Sequence, residues 1–188
     1  MSNFKISSNK KGESFMIVAT SERLRFRQAE EADLDYIMAV EHEPADAQFV
    51  IPYDIDVHRA MLNGDNTKHF VVETHEGEAV GFVIVSGLEN PYGELEFMRI
   101  MVAKQGLGYG KETVGLLLKW GFEIKKAHRA WLDCKPHNTR ALHVYESAGF
   151  VREGLIRETI QAEDGTYEDL VILGILDREY FAQSVPTA

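Results

Sequence analysis

Hydrophobic positions change period several times along this chain. Leu24–Gln28 alternates apolar and polar residues, which predicts a strand with one buried face. Leu34, Ile37, Met38 and Glu41 then recur at helical spacing, with Leu34, Ile37 and Met38 inward, until Pro44 ends the run. A second helix is predicted over Ile55–Leu62, stopped by Asn63-Gly64. Residues 68–74 and 79–88 read as two strands of a hairpin turning at Glu76-Gly77-Glu78, and 93–102 adds another antiparallel strand after Asn90-Pro91. In 109–125 the apolar residues Val114, Leu117, Leu118 and Phe122 follow i, i+3, i+4, i+8, the stripe of a helix packed on a core. Residues 130–134 form a short strand, 137–150 a helix, and Val151–Gln161 and 168–177 two strands about Asp164-Gly165. Residues 170–176 are almost wholly apolar, which predicts a central strand covered on both faces. Residues 15–19 read as an edge strand. The sum is an α/β fold of three layers around a mixed, mostly antiparallel sheet.

Composition narrows the class. A chain of 188 residues with 45% hydrophobic content fits one globular domain. We assign it to 14–182, between a mobile N-terminal segment at 1–13 and a tail at 183–188. A net charge of −10 argues against non-specific nucleic-acid binding, which needs Lys and Arg on phosphates. It suits a cationic acceptor. The one cysteine, Cys134, lies in an apolar strand and reads as core rather than nucleophile. With neither a signal-like start nor an apolar run long enough to span a bilayer, a cytoplasmic protein without a membrane partner is expected. The seven histidines form no H-E-x-x-H or other metal-ligand spacing, so no metal is expected.

The densest chemical signal is Gln105-Gly106-Leu107-Gly108-Tyr109-Gly110-Lys111, set between a strand and a helix start. Backbone N–H groups in such a turn lack intrahelical partners, and the helix dipole adds positive charge. A phosphate or pyrophosphate is the expected guest. Glu112 stands where a Walker A loop needs Ser or Thr, and Gln105 where it needs glycine. Glycines at every second position also break the dinucleotide fingerprint. What fits is Q/R-x-x-G-x-G/A at Gln105, Gly108 and Gly110.

A second pattern, N-x-x-A-x-x-x-Y-x-x-x-G-F, falls on Asn138, Ala141, Tyr145, Gly149 and Phe150. Pro136 precedes the helix, Asn138 reads as its N-cap, and Tyr145 lies about two turns further on the same face. Together the two patterns resemble the acetyl-CoA loop and second signature of the GNAT superfamily of N-acetyltransferases. The resemblance extends from about Glu22 to Phe181 and is greatest to the branch of ribosomal-protein N-terminal and polyamine acetyltransferases, judged by Arg99-Ile100, His128-Arg129 and 138–145.

That resemblance implies an acetyl-CoA-dependent N-acetyltransferase whose sheet splays between strands 94–102 and 130–134. The cofactor contacts it implies are Gln105, Gly106, Gly108, Tyr109, Gly110 and Lys111 for the diphosphate, and Ile100 or Val102 for the pantetheine amides, docked as an extra strand. The link from Val102 through Ala103 and Lys104 is shorter than in many members, and this leaves Ile100 against Val102 open. Asn138 is either a further pantetheine contact or only a cap. Tyr145 resembles the tyrosine that protonates the departing sulfur, and its ordinary pKa keeps it a donor at neutral pH. An alkylamine acceptor arrives as ammonium and needs a base. Glu96 and Glu94 share a strand face beside the thioester, and Glu96 is favoured. The acceptor is a small-molecule amine, a polyamine or a peptide N-terminus, selected by 43–55 and 157–167. Dimers recur among such enzymes, so a homodimer stays open. A non-catalytic CoA-binding module is the alternative reading; a nucleotide sensor is disfavoured by the missing Gly-Lys-Ser/Thr.

Overall fold

The computed structural model describes residues 5–8, 14–44, 49–162 and 164–183. Among these, nine strands form one sheet in the order β1-β2-β3-β4-β5-β6-β7-β9-β8. They are β1 (Lys5–Ser8), β2 (Ser14–Thr20), β3 (Leu24–Gln28), β4 (Thr67–Thr74), β5 (Ala79–Ser86), β6 (Glu94–Val102), β7 (Arg129–Cys134), β8 (Val151–Gln161) and β9 (Tyr167–Leu176). The helices are α1 (Leu34–Glu41), α2 (Ile55–Leu62), α3 (Tyr109–Lys119), α4 (Thr139–Ser147) and α5 (Asp177–Gln183). Of the segment expected to be mobile, 1–4 and 9–13 lie outside the described residues, as do 184–188 of the expected tail. Lys5–Ser8 pairs antiparallel with β2. The predicted strand at 15–19 therefore lies inside the sheet, between β1 and β3, rather than at its edge.

Two cores give the three layers. On one face Phe70, Val72, Val83, Leu95 and Phe97 pack under the α3 stripe Val114, Leu117 and Leu118 and under Leu142 of α4. On the other, Val71, Phe82, Ile84 and Met101 pack under Leu34, Ile37 and Val40 of α1. Strand alternation sends neighbours such as Val71 and Val72 to opposite cores. The helix expected over 109–125 changes form: α3 ends at Lys119, and 120–124 is a π turn in which Lys125 N–H donates to the Trp120 carbonyl at 2.9 Å. The apolar stretch 170–176 is interior in strand order, yet Leu170 and Ile172 are only half-buried.

Every pairing is antiparallel except β6 with β7, which runs parallel and covers only Glu94↔Arg129, Leu95↔Ala130 and Glu96↔Trp131. Past Glu96 and Trp131 the strands part. β6 continues along β5 alone, and β7 along β9 alone, to Cys134↔Val171. β6 also carries a bulge. Ser86 faces Glu96 and Ile84 faces Arg99, so Phe97 and Met98 together oppose Val85. The extra residue inverts strand parity. Phe97 joins the α3 core before it, whereas Met101 joins the α1 core after it and Ile100 packs toward α3.

Candidate active site

The split opens into a cavity of about 570 Å³. β6 forms one wall, the end of β7 and α4 the other, the loop 105–111 lies at one end and Phe49–Ile51 with Tyr53 covers the far side. Each predicted residue reaches this cavity: Glu96, Ile100, Val102, Gln105, Gly106, Gly108, Tyr109, Gly110, Lys111, Asn138 and Tyr145. Ile100 and Val102 both line it, because the bulge sets the even-numbered positions beyond it on the α3 side. Glu94 is absent from the lining and pairs with Arg129 at 2.9 Å.

The loop has the geometry of an anion cradle. Gly106 and Gly108 adopt φ of 79° and 78°, a conformation open to glycine at little cost. A Cβ on Gly106 or Gly110 would meet nothing within 4 Å, so these backbone positions lie open. Gly108 caps α3 without a side-chain hydrogen bond, and the first intrahelical bond runs from Glu112 N–H to the Gly108 carbonyl. The N–H groups of Tyr109, Gly110 and Lys111 are thus left for a guest. These features fit the diphosphate of a coenzyme A. Gln105 Oε1 accepts from Arg140 Nη1, tying loop to α4.

Across the split, Asn138 Oδ1 accepts from Ala141 N–H at 3.2 Å, which makes it the α4 cap, and the residue also lines the cavity. The Tyr145 ring packs edge-on to Phe150 at 6.1 Å. Among the described residues its hydroxyl has no hydrogen-bond partner. Burial, then the Cys134 thiol and Asp133, pushes that hydroxyl well above its usual range and keeps it protonated. Burial also pushes the Cys134 thiol up, to about 12, so it is an inert core group. Glu96 is half-buried and accepts from Ser86 Oγ at 2.7 Å. Burial raises its carboxyl; Ser86 offsets this, and the charges of Asp133 and Glu94 add to the rise.

Asp133 and Arg99 are among the cavity residues that the sequence did not single out as site residues. Asp133 faces the cavity because Ala130, Leu132 and Cys134 alternate into the core, a signal present in the pattern. Arg99 faces it too, stacked 4.4 Å from the Tyr53 ring centroid and 2.9 Å from Glu41, a fully buried carboxylate on α1. Among the described residues, no group of three or more His, Cys, Asp or Glu is arranged to hold a metal, and no helix is long and apolar enough to cross a membrane.

The sheet split, the glycine turn at the start of α3 and the protonated Tyr145 hydroxyl thus line one cavity, an arrangement that fits a transferase using an acyl carrier. Residues 27–150 match the sequence pattern of the Acetyltransferase (GNAT) family, and the chain belongs to that family. It is 27% identical over 130 residues to the spermidine N(1)-acetyltransferase of Vibrio cholerae, covering 69% of this chain and 75% of that protein. It is 35% identical over 126 residues to the probable N-acetyltransferase YjcK of Bacillus subtilis, covering 65% and 69%. The crystal structure of the Vibrio cholerae spermidine N-acetyltransferase in complex with CoA and spermine superposes with a TM-score of 0.75 at 26% identity, over 84% of this chain and 98% of that one. The protein is an acetyl-CoA-dependent N-acetyltransferase with an amine acceptor.

Proposed function

We propose that this enzyme moves the acetyl group of acetyl-CoA directly to a primary amine of a small polycation of the polyamine class. Two lines support that acceptor: the relatives named for spermidine N(1)-acetylation, and the neighbour bound to CoA and spermine. The observation that carries the catalytic assignment is that a buried-side carboxylate, Glu96, and a hydroxyl held protonated, Tyr145, line one split in the sheet.

Acetyl-CoA supplies an acetyl group activated as a thioester. The N–H groups of Gly106, Gly108, Tyr109, Gly110 and Lys111 hold the diphosphate, Gln105 braces the loop, and the Lys111 side chain adds charge. β6 beyond Glu96 has an unpaired edge, so Ile100 and Val102 offer backbone groups to the pantetheine amides. A β6 N–H on that edge polarises the carbonyl. Asn138 reaches the same arm with its NH2. Glu96 takes the proton from the acceptor ammonium, and Tyr145 gives its proton to the departing sulfur.

The test is a panel of spermidine, spermine, a simple monoamine and an N-terminal peptide, each with acetyl-CoA and a free-thiol readout. Thiol release with the polyamines, well above that with the monoamine and peptide, is expected. Release with the peptide alone would overturn the acceptor class.

A further inference from the structure

One carboxylate in the split has no part in the chemistry above. Asp133 stands on β7 two residues beyond Trp131, and Trp131 is paired with Glu96. Paired residues of a ladder, and residues two apart on a strand, share a face. Glu96, Trp131 and Asp133 therefore point the same way. With strands ~4.8 Å apart and a rise of ~3.3 Å per residue, the two Cα atoms are at least about 8 Å apart, and more as the strands part. That is room for one ammonium between two short acidic side chains. Asp133 is exposed to the cavity and makes no hydrogen bond or ion pair among the described residues.

A cation shares the cavity with it, and the two form no ion pair among the described residues. Arg99 lines the same cavity, and its charge is felt at Asp133. Its guanidinium is committed in the opposite direction. Nε lies 2.9 Å from Glu41 Oε1, Nη2 donates to the Ile51 carbonyl at 3.1 Å, and the plane stacks on Tyr53. Glu41 is itself fixed by His58 Nε2 at 2.8 Å and by Tyr53 N–H at 3.0 Å, and both Glu41 and His58 are fully buried. The contact between Glu41 and Arg99 is a charge contact rather than a directed hydrogen bond.

We propose that Asp133 anchors the acceptor ammonium beside Glu96, and that Glu41 is a positioning residue that keeps this subsite open by holding Arg99 away from Asp133. The proposal rests on the amine-acceptor reading. Asp133 contributes attraction in the bound complex, whereas Glu96 accepts the proton. Loss of Asp133 thus acts on acceptor binding more than on the chemical step. Loss of the Glu41 charge releases Arg99 to pair with Asp133, so Glu41 acts only while Asp133 is present.

The experiment measures equilibrium binding of spermidine to the CoA-loaded protein by calorimetry, and the KM and kcat for spermidine, in wild type, Asp133→Asn, Glu41→Gln and the double variant. Asp133→Asn is expected to weaken spermidine binding at least tenfold and to raise its KM by a similar factor. kcat should fall much less and the KM for acetyl-CoA should stay constant. Glu41→Gln is expected to raise the spermidine KM alone but to add nothing in the Asp133→Asn background. Spermidine binding within twofold of wild type in Asp133→Asn overturns the anchor. Equal effects of Glu41→Gln in both backgrounds overturn its positioning role. Should Glu41→Gln fail to fold, Arg99→Met answers the same question: it should tighten spermidine binding, and weaker binding refutes the arrangement. A wild-type protein that binds acetyl-CoA but acetylates no amine overturns the acceptor reading itself, a result distinct from an active enzyme indifferent to Asp133.

Discussion

Arg23 and Glu112 are joined twice, though 89 residues separate them in sequence. The Arg23 backbone N–H donates to Glu112 Oε1 at 2.7 Å, and its guanidinium lies 2.7 Å from Oε2. Ser21 Oγ donates to the same carboxylate at 2.8 Å. Burial alone would raise Glu112; the Arg23 N–H, the Ser21 hydroxyl and the Arg23 guanidinium outweigh it and hold the carboxyl below its ordinary range. From this anchor Arg23 Nη1 reaches on to the Leu107 carbonyl at 2.9 Å. A carboxylate in the first turn of α3, which the dipole also favours, therefore staples the phosphate loop to the start of β3.

Arg23→Ala should separate loop order from stability. The Arg23 side chain is 48% exposed, and exposed pairs contribute about 0–1 kcal/mol, so the melting temperature should move little. The Leu107 carbonyl loses its tether, and acetyl-CoA affinity should fall several-fold. Calorimetric titration with acetyl-CoA checks this; wild-type affinity would remove the staple from the binding argument.

Gly108→Val should abolish cofactor binding while the protein stays folded. The backbone there has φ of 78°, where a β-branched residue is strained by on the order of 1–3 kcal/mol. A Cβ would also stand 3.4 Å from Arg23 Nη2. Saturating acetyl-CoA at 100 times its Kd stabilises wild type by about 2.7 kcal/mol, and this shift should vanish in the variant. A retained shift would show that the loop does not hold the diphosphate.

Tyr145→Phe should lower kcat by about 10²–10⁴-fold, the usual worth of a positioned acid, and leave the KM for acetyl-CoA nearly constant. Among the described residues the hydroxyl has no hydrogen-bond partner, so its removal strands none of them and should not destabilise the fold. Stopped-flow thiol release reads the step directly. Full activity in this variant excludes the tyrosine as acid.

The loop and Tyr145 were legible in the sequence because their signals are local. Glycine spacing sets the cradle, and seven residues of helix carry Asn138 and Tyr145 to one face. Features that depend on a distant partner were not legible. The bulge at Phe97 and Met98 exists only relative to Val85, so the sequence alone does not show that Ile100 and Val102 both line the cavity. Glu41 reads as an ordinary helical position; its burial against His58 and Arg99 joins three elements that no local pattern connects. The strand pattern turns Asp133 away from the core, but only the parting of β6 from β7 makes that side a cavity.

Glu96 ties activity to pH and stability in opposite senses. Burial, with repulsion from Asp133 and Glu94, lifts its carboxyl above the ordinary carboxylate range, against the Ser86 hydroxyl. A base is idle while protonated, so kcat/KM for the acceptor should fall as pH drops through this raised value. The folded state binds the proton more tightly than the unfolded chain does. Its stability penalty is therefore absent below the unfolded pKa, grows as pH rises toward the folded one, and is constant above it. Glu96→Gln should consequently melt at or above the wild-type temperature at pH 7 while losing about 10²–10⁴ in kcat. Ser86→Ala removes the one bond that favours the ionised form, so it should move the acidic limb of the pH profile upward and leave the high-pH plateau in place. An acidic limb that stays fixed in Ser86→Ala, or a Glu96→Gln variant with wild-type kcat, would assign the base to another group.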